Sequence, residues 1–530
     1  MALKKYGGVG MSSSVIGLGY WNGGIKALKA FTTPQRNLEP LSCPEYEYEV
    51  VSDIEYVCLE LLYSHEIYLD IIDSEILILA NRDGYILAIK FDEIIEEDAA
   101  WLKKIISANT HLMILRDGKE VLKFLRKKKI TVSGEYFDLM LAAKLLEYGN
   151  FQIKEFQDVI SKYLPGRYLY QISSTEVEEK ESVNKVINNF NIIFSLKDLL
   201  QQKIEEERME DIAAIEFECL NAITELETAG VYLDTNLWNK VKKYNTQSVN
   251  YVKYVNPATN RIYSNFNQLG SSTGRIISGN PNIQNISRDS RIRSCFRAEE
   301  GNILILGDYS QLELRFVAEI ANEDTMIEAF RECIDLHAFT ASKVLNKSTT
   351  EVNSDQRHSA KAVNFGLIYG MGTEGLIKYA NESFGVKLLK NEAESYKAKF
   401  FKAYPRIMEW HCLARRNNSN GVRTLGGRIR KWDTTPTMQS LTNSKIQGSA
   451  ADMVKKALVN LIELRRFYNL KFHIVNVVHD EIIIEVSSNP ENITKSKEIL
   501  EKAMIEAGNY YLKKVPVEVS ISVGKDWSAK

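Results

Sequence analysis

Acidic residues at the ends of apolar strands are the first candidates for chemistry. The stretch 471–486 reads KFHIVNVVHDEIIIEV. Val475 and Val477 on one side, and Ile482, Ile483, Ile484 and Val486 on the other, are β-branched runs of the kind that form strands. A tight turn of His479, Asp480 and Glu481 puts two carboxylates at the tip of this apolar hairpin. Asp suits turns in any case, so the hairpin alone decides little. A second apolar strand, NILILGD over 302–308, also ends in an acid, Asp308. Leu312, Phe316 and Ile320, with Leu314 and Val317 beside them, then follow at helical spacing. Asp308 should sit where a buried strand gives way to a helix. If the two strand ends meet, Asp308 and Asp480 form a hard, oxygen-only site. Such a site suits Mg²⁺, which takes one or two carboxylates and is completed by substrate phosphates. Two such ions clamp the attacking and leaving oxygens of an in-line displacement at phosphorus.

A third stretch supplies counter-charge. In RHSAKAVNFGLIYGMG, Arg357, Lys361, Phe365 and Tyr369 recur at every fourth position and fall broadly on one helix face. Two cations followed by two aromatics suit a nucleotide, the charges on the triphosphate and the rings on base and sugar. An ordinary amphipathic helix with solvated charges has the same pattern and weighs equally on this stretch alone.

Together the three stretches resemble motifs A, B and C of the family A DNA polymerases, in the family's order: DYSQLELR, R-x-x-x-K-x-x-x-F-x-x-x-Y-G and VHDE. TGRIISGNPNIQNIS (273–287), DLHAFTA (335–341) and NSKIQGSAAD (443–452) support the resemblance. It covers the chain well from about Met209 onward and more weakly from Tyr46 to Leu200. It implies an α/β multidomain chain: an RNase H-like 3′→5′ exonuclease-type domain, then a right-hand polymerase domain of palm, fingers and thumb.

The whole chain is compatible with this. Its 530 residues suggest several domains, and 45% apolar with 26% charged residues is a globular composition. The six cysteines, Cys43, Cys58, Cys219, Cys295, Cys333 and Cys412, form no C-x-x-C pair, which argues against a zinc site or disulfide framework and fits a reducing compartment. A net charge of −2 gives no global basic signature, so a nucleic-acid binder would have to concentrate its cations in a cleft. Residues 1–45 read as a loosely ordered arm too interrupted by glycine to span a membrane. The expectation is a monomer in the cytoplasm, with the DNA and without membrane attachment.

From 46 to 200 the pattern is α/β. EIYLDIIDSEILILANRDGYILAIKF reads as a three-strand meander, followed by helical patterns at 99–106, 118–126 and 137–147. Against the exonuclease motifs of the family, Asp70 matches the first acid, but Ile72 replaces a Glu and Asn189 replaces an Asp. Glu120 falls where an Asp is usual and Lys185 where a Tyr is usual, while Asp138 fits the helix match. Ile cannot ligate a metal, so this domain is expected to lack proofreading activity. A shifted registration on Asp73 and Glu75 stays open. Residues 197–230 read as strongly helical, closed by Gly230. Only a short stretch then precedes PATNRIYSNF, so the thumb (about 201–256) must be reduced. Palm and fingers take 257–530, the fingers about 322–432. Weak grip implies distributive synthesis or a processivity or replisome partner.

The resemblance also implies residue roles. Asp308, Asp480 and the backbone of Tyr309 would hold two Mg²⁺ ions, for which Mn²⁺ can substitute, with Glu481 as a further acid. Tyr309, Gln311, Glu313, His337, Arg357, Lys361, Phe365 and Tyr369 would surround the dNTP. Glu313 would exclude the ribose 2′-OH, Lys361 would act as general acid, and Phe365 implies discrimination against dideoxynucleotides. Gly366, Gly370 and Gly372 would let the helix move. Arg275, Asn282, Gln284, Asn285, Asn443, Gln447 and His479 would contact primer–template DNA, with Arg291, Arg293 and Arg297 available for phosphates. Gln439 stands where the family has Arg, which removes one expected contact. FFKAYPRIMEW (400–410) and TLGGRIRKW (424–432) suit a template-side surface or a fingers core equally. The alternatives are a single-subunit RNA polymerase, against which Glu313 and the TGR block argue, and a 3′→5′ exonuclease, against which Ile72 and Asn189 argue.

Overall fold

The computed structural model describes residues 25–34, 46–50, 54–90, 96–108, 110–130, 132, 134–170, 180–245, 249–416 and 421–529. The chain divides into two compact units: residues 1–139 with 155–200, and residues 140–154 with 201–530.

The first unit is built on a seven-stranded sheet of order β2-β1-β5-β4-β3-β6-β7. The strands are β1 (Ile25–Pro34), β2 (Tyr46–Val50), β3 (Glu66–Ile72), β4 (Ile76–Asn81), β5 (Tyr85–Lys90), β6 (Leu112–Leu115) and β7 (Glu135–Asp138). The meander read from the sequence is β3–β5, all antiparallel. β6 and β7 run parallel to β3 and come after helices Glu96–Ile106 and Gly118–Lys127. The uninterrupted apolar run of β4 matches its burial along its whole length.

Three expectations change. Part of the arm expected to be loose, Ile25–Pro34, is a strand paired with β5 and β2, because a sheet edge was there to accept it. The rest of 1–45 lies outside the described residues. Phe137 and Asp138 end β7 rather than begin a helix, which starts at Leu139; pairing of Tyr136 and Phe137 with Met113 and Ile114 overrides the local helical pattern. The helical run at 197–230 is two helices, Lys180–Glu206 and Glu210–Ala229, broken at Arg208 with φ +51°. Gly230, at φ +64°, ends the second, in a region that favours glycine.

The second unit centres on an antiparallel four-stranded sheet. Its order is Phe472–Val478, Glu481–Ser487, Asn302–Tyr309, Val519–Gly524. Helix Pro490–Tyr511 packs on the Asn302–Tyr309 strand and on helix Met438–Phe467, which in turn meets helix Glu210–Ala229. Close approach needs Gly307, where a Cβ would stand 2.6 Å from Met504 Sδ. A wholly buried ion network fixes this packing. Glu216 takes Lys455 at 2.5 Å and also Arg428, while Asp452 takes Arg428 at 2.7 Å. Helices Leu336–Leu345, Ser354–Ile368, Thr373–Phe384 and Lys390–Ala403 pack on one another as a separate layer. Between Gly230 and Asn256 the described residues hold one seven-residue helix, Thr235–Val241, short 3₁₀ turns and two short strands, Val231–Leu233 and Val255–Asn256. Among the described residues no helix is long and apolar enough to cross a membrane.

Candidate active site

The two acid-tipped strands are neighbours. Asn302–Tyr309 pairs with Glu481–Ser487 so that Asp308 faces Glu481, and Tyr309 N donates to Asp480 O at 3.3 Å. A two-residue turn, His479–Asp480, joins the hairpin, with His479 at φ +57°. Glu481 is therefore the first residue of a strand rather than part of the turn. It is 3% exposed, and its Oε2 accepts from the Trp527 indole at 3.1 Å. The Tyr309 ring is also buried, its hydroxyl donating to Met504 O at 2.7 Å, so this residue offers the site only its backbone. Asp308 and Asp480 are half-buried at the sheet edge where the next helix, Leu312–Ala321, begins. Gln311 opens that helix in the left-handed region, φ +52°. Arg315, which the sequence reading left without a role, ties the connection together by donating to Ser310 O at 2.7 Å, Pro516 O at 2.6 Å and Glu518 at 2.6 Å.

Beside these acids, residues from four distant stretches converge. Glu313 Oε1 accepts from Arg275 Nη2 at 2.9 Å, and its Oε2 accepts from the Tyr369 hydroxyl. Burial, with Glu313 alongside, raises the Tyr369 pKa, so the hydroxyl stays a donor; Gln447 hydrogen-bonds the same hydroxyl. Gln439, Asn443 and Gln447 form one stripe of helix Met438–Phe467, at four-residue spacing and partly or fully exposed. His479 lies in the field of Arg275, Arg288 and Glu313, and desolvation with the two arginines lowers its pKa.

Helix Ser354–Ile368 begins at a capping box on Asn353 and carries Arg357 and Lys361 exposed, with Phe365 half-buried. Tyr369 follows as its C-cap. Asp335, read only as part of a motif, both caps helix Leu336–Leu345 at Ala338 N (2.8 Å) and holds Arg357 Nη2 at 2.6 Å. An Asp directly before apolar Leu336, the first helical residue, is its sequence signal. His337 is 4% exposed, its Nδ1 accepts from Asn364 at 2.9 Å, and burial brings its pKa down to about 4, so it packs between helices as a neutral imidazole. Gly366 is a packing residue rather than a joint, since a Cβ there would meet Leu376 at 2.5 Å.

In the 271–287 loop, Asn282 and Gln284 are half-buried and hydrogen-bond within the protein. Gln284 donates to Val477 O at 2.9 Å and Ile276 O at 3.1 Å and accepts from Ser278 N at 2.8 Å. Asn282 Oδ1 accepts from Gln284 N at 3.0 Å and Ser278 Oγ at 3.1 Å. These amides brace the loop on the hairpin, because a turn-rich segment must satisfy its own polar groups. Arg275 is half-buried and Asn285 exposed. Arg291 and Arg297 are held by Asp289 (2.5 Å) and Asp234 (3.1 Å).

The acids of the first unit are used structurally. Asp70 accepts from Tyr68 OH at 2.7 Å and pairs with Arg116 at 3.2 Å; burial raises its pKa against that pairing. Asn189 binds both the N–H and the O of Tyr170, each at 2.9 Å. Asp138 accepts from Gly118 N at 2.5 Å, and Glu120 pairs with Lys123 at 3.2 Å. Asp73 and Glu75 are exposed in the β3–β4 turn, off the strand that carries Asp70. Asp70, Ile72, Arg116, Phe156, Tyr170 and Asn189 line a cleft of about 800 Å³.

Among the described residues no three His, Cys, Asp or Glu side chains stand together as a metal cluster. The donors at the Asp308–Asp480 edge are two carboxylates and backbone oxygen. This set fits an ion that takes few protein ligands and leaves the rest to water and phosphate, as Mg²⁺ does.

The DNA polymerase I of Aquifex aeolicus is 40% identical over 273 residues, 51% of this chain and 46% of that protein. The DNA polymerase I of Pseudomonas aeruginosa is 34% identical over 292 residues, 52% of this chain and 30% of that one. The chain thus spans less than half the length of these curated relatives. A solved structure of the POL domain of Pol1 from M. smegmatis, in complex with DNA primer-template and dNTP, superposes with a TM-score of 0.76 at 22% identity. It covers 90% of this chain and 98% of that one, a likeness of fold. A model of DNA polymerase family A matches residues 168–529. With more than half of its length matched, and its acid-tipped strands side by side, the chain belongs to DNA polymerase family A.

Proposed function

We propose that this chain extends a DNA primer on a template, transferring a deoxynucleotide from a dNTP to the primer 3′-OH with release of pyrophosphate. The observation that carries the reading is the pairing of the two acid-tipped strands beside the Arg275–Glu313–Tyr369 cluster. Asp308, Asp480 and the Tyr309 backbone would hold Mg²⁺, which when bound activates the 3′-OH and neutralises charge on the phosphates. Arg357 and Lys361, on one exposed helix face, neutralise the triphosphate, and Lys361 delivers a proton to the leaving pyrophosphate. Phe365 stacks on the sugar and base. Glu313, held on two sides, fills the space a 2′-OH needs and so selects deoxynucleotides by exclusion. Neutral His337 supports this helix and has Nε2 left as a donor. Arg275, Asn285, Asn443, Gln447 and His479 meet the primer–template, and Asn282 and Gln284 shape the loop that does so.

The second unit is read as palm and fingers with a reduced thumb. The first is read as an RNase H-like exonuclease fold, supported by the order β5-β4-β3-β6-β7 with β4 antiparallel to β3. Its proofreading is lost, since Arg116 takes Asp70 and the Tyr170 backbone takes Asn189. The enzyme works as a monomer in the compartment that holds the DNA, with a partner supplying the grip that the short 230–256 segment does not. The test is single-nucleotide addition to a primer facing each of four template bases. Addition of the complementary dNTP in every case supports the reading. Addition independent of the template base, or none with Mg²⁺ at low salt, overturns it.

A further inference from the structure

Asp308 faces Glu481 across two adjoining strand ends, with Asp480 in the turn just before Glu481, and a positive charge held nearby offsets part of their repulsion. One arginine is built into the back of this site. Arg293 ends the short helix Ser290–Arg293 and lays its guanidinium over the Trp527 ring, 4.7 Å from the centroid. The same indole donates Nε1–H to Glu481. Trp527 is fixed: it is 1% exposed, its N–H donates to Phe296 O at 2.9 Å, and its ring meets Phe296 edge-on at 6.2 Å. Ala298 N donates to Lys525 O at 2.9 Å, so the C-terminal segment is stitched to the chain that follows Arg293.

Neighbouring Arg291 and Arg297 each have a carboxylate of their own. Arg293 does not share this arrangement. Its Nε is buried with no hydrogen-bond partner among the described residues; burial, with Arg288 nearby, opposes its charge, while Glu481 and Asp308 favour it. A cation stacked on an aromatic face and left without a partner at Nε gives up geometry but keeps its charge in place.

We propose that Arg293, held on Trp527, is a fixed counter-charge for Glu481 and Asp308 and sets how tightly the edge they share with Asp480 takes a divalent cation. Arg293 is a positioning residue that acts through the carboxylates. The proposal rests on the metal-binding reading of Asp308 and Asp480 given above. A guanidinium keeps its proton at any working pH, so the offset is constant. It lowers affinity for each incoming ion and keeps the ions exchangeable between additions. Trp527 does two jobs, holding Arg293 by its face and Glu481 by its edge, and it couples the C-terminus to the metal edge.

The test is Mn²⁺ binding alone, measured on the full chain by electron paramagnetic resonance without DNA or dNTP. Arg293→Gln should bind Mn²⁺ about fivefold more tightly than the parent, the scale of one unit charge acting through a partly hydrated site. Arg293→Lys, which keeps the charge, should stay within about twofold of the parent. Trp527→Leu, which removes the ring face under the guanidinium, should approach Arg293→Gln. A merely structural Arg293 gives the opposite sign: Arg293→Gln with weaker or unchanged Mn²⁺ binding overturns the proposal, as does Arg293→Lys behaving like Gln. Where Arg293→Gln does not fold, the Lys and Trp527 variants decide by the same criteria. Asp480→Ala separates the two levels. If it abolishes binding while Arg293→Gln fails to tighten it, only the counter-charge falls. If binding survives Asp480→Ala, the metal-edge reading falls and the counter-charge with it.

Discussion

Replacing Tyr369 by Phe removes one hydroxyl and leaves the rest of the Glu313 environment intact. Glu313 is held by two donors, the Tyr369 hydroxyl on Oε2 and Arg275 Nη2 on Oε1 at 2.9 Å. Both partners of the ion pair are more than two-thirds buried, with side chains 26% and 29% exposed. A hydrogen bond to a charged group contributes about 1.5–3 kcal/mol, and the remaining Arg275 contact argues for the low end. Losing about 1.5 kcal/mol of restraint corresponds to about a tenfold change in an equilibrium. If Glu313 excludes the 2′-OH only when held upright, that factor should appear as lost sugar discrimination. The assay is steady-state single-nucleotide addition, comparing kcat/KM for a dNTP and the matching ribonucleotide. Tyr369→Phe should lower the ratio about tenfold, through better ribonucleotide use and not through poorer dNTP use. Glu313→Ala should lower it further. A Tyr369→Phe ratio within about twofold of the parent shows that Arg275 alone holds the gate. A ratio unchanged in Glu313→Ala refutes the gate itself.

Other consequences follow from the buried groups. His337 has its pKa lowered to about 4 in the folded chain, against about 6.5 unfolded, so the unfolded state binds more protons between those values. Stability contributed here is full above the unfolded value and is lost as pH falls toward 4, by up to about 3 kcal/mol; in denaturant melts His337→Gln should flatten this part of the pH profile, and an identical profile counts against the assignment. Glu216→Gln leaves Arg428 and Lys455 buried without their shared carboxylate and should destabilise the second unit by about 3 kcal/mol or more, read as a drop in the denaturation midpoint. The parent should not shorten a mismatched primer, and Ile72→Glu with Asn189→Asp should not restore shortening while Arg116 still pairs with Asp70. Shortening by either protein means that the cleft of the first unit still binds metal.

The candidate site is legible because it lies in short local patterns. Each candidate acid ends an apolar run, and Arg357, Lys361, Phe365 and Tyr369 keep helical spacing, so the adjoining strand ends and the helix face can be read from the sequence. The meander β3–β5 was legible for the same reason, as three β-branched runs parted by turn formers. What was missed depends on contacts between distant segments. Strand β1 needs β5 to pair with, and nothing in its own composition announces that. The break at Arg208 carries no glycine or proline. Asn282 and Gln284 look like exposed amides in sequence, yet the hairpin carbonyl of Val477 and the loop's own backbone occupy them. The DLHAFTA motif gives no sign that Asn364, 27 positions on, binds Nδ1 of His337 in a buried site. Trp527 and Arg293 were invisible as a pair because more than two hundred residues separate them.

On the proposed function, Asp308 and Asp480 together form the site of nucleotide addition. Primer extension with Mg²⁺ and all four dNTPs tests this on the parent, Asp308→Ala and Asp480→Ala, with primer–template binding measured in parallel. Either substitution should remove extension by a factor of about a thousand or more while binding changes little, since an active-site metal ligand acts on the chemical step. Extension surviving in either variant at more than about a tenth of the parent rate contradicts it, because one of the paired strand ends is then not where the chemistry happens.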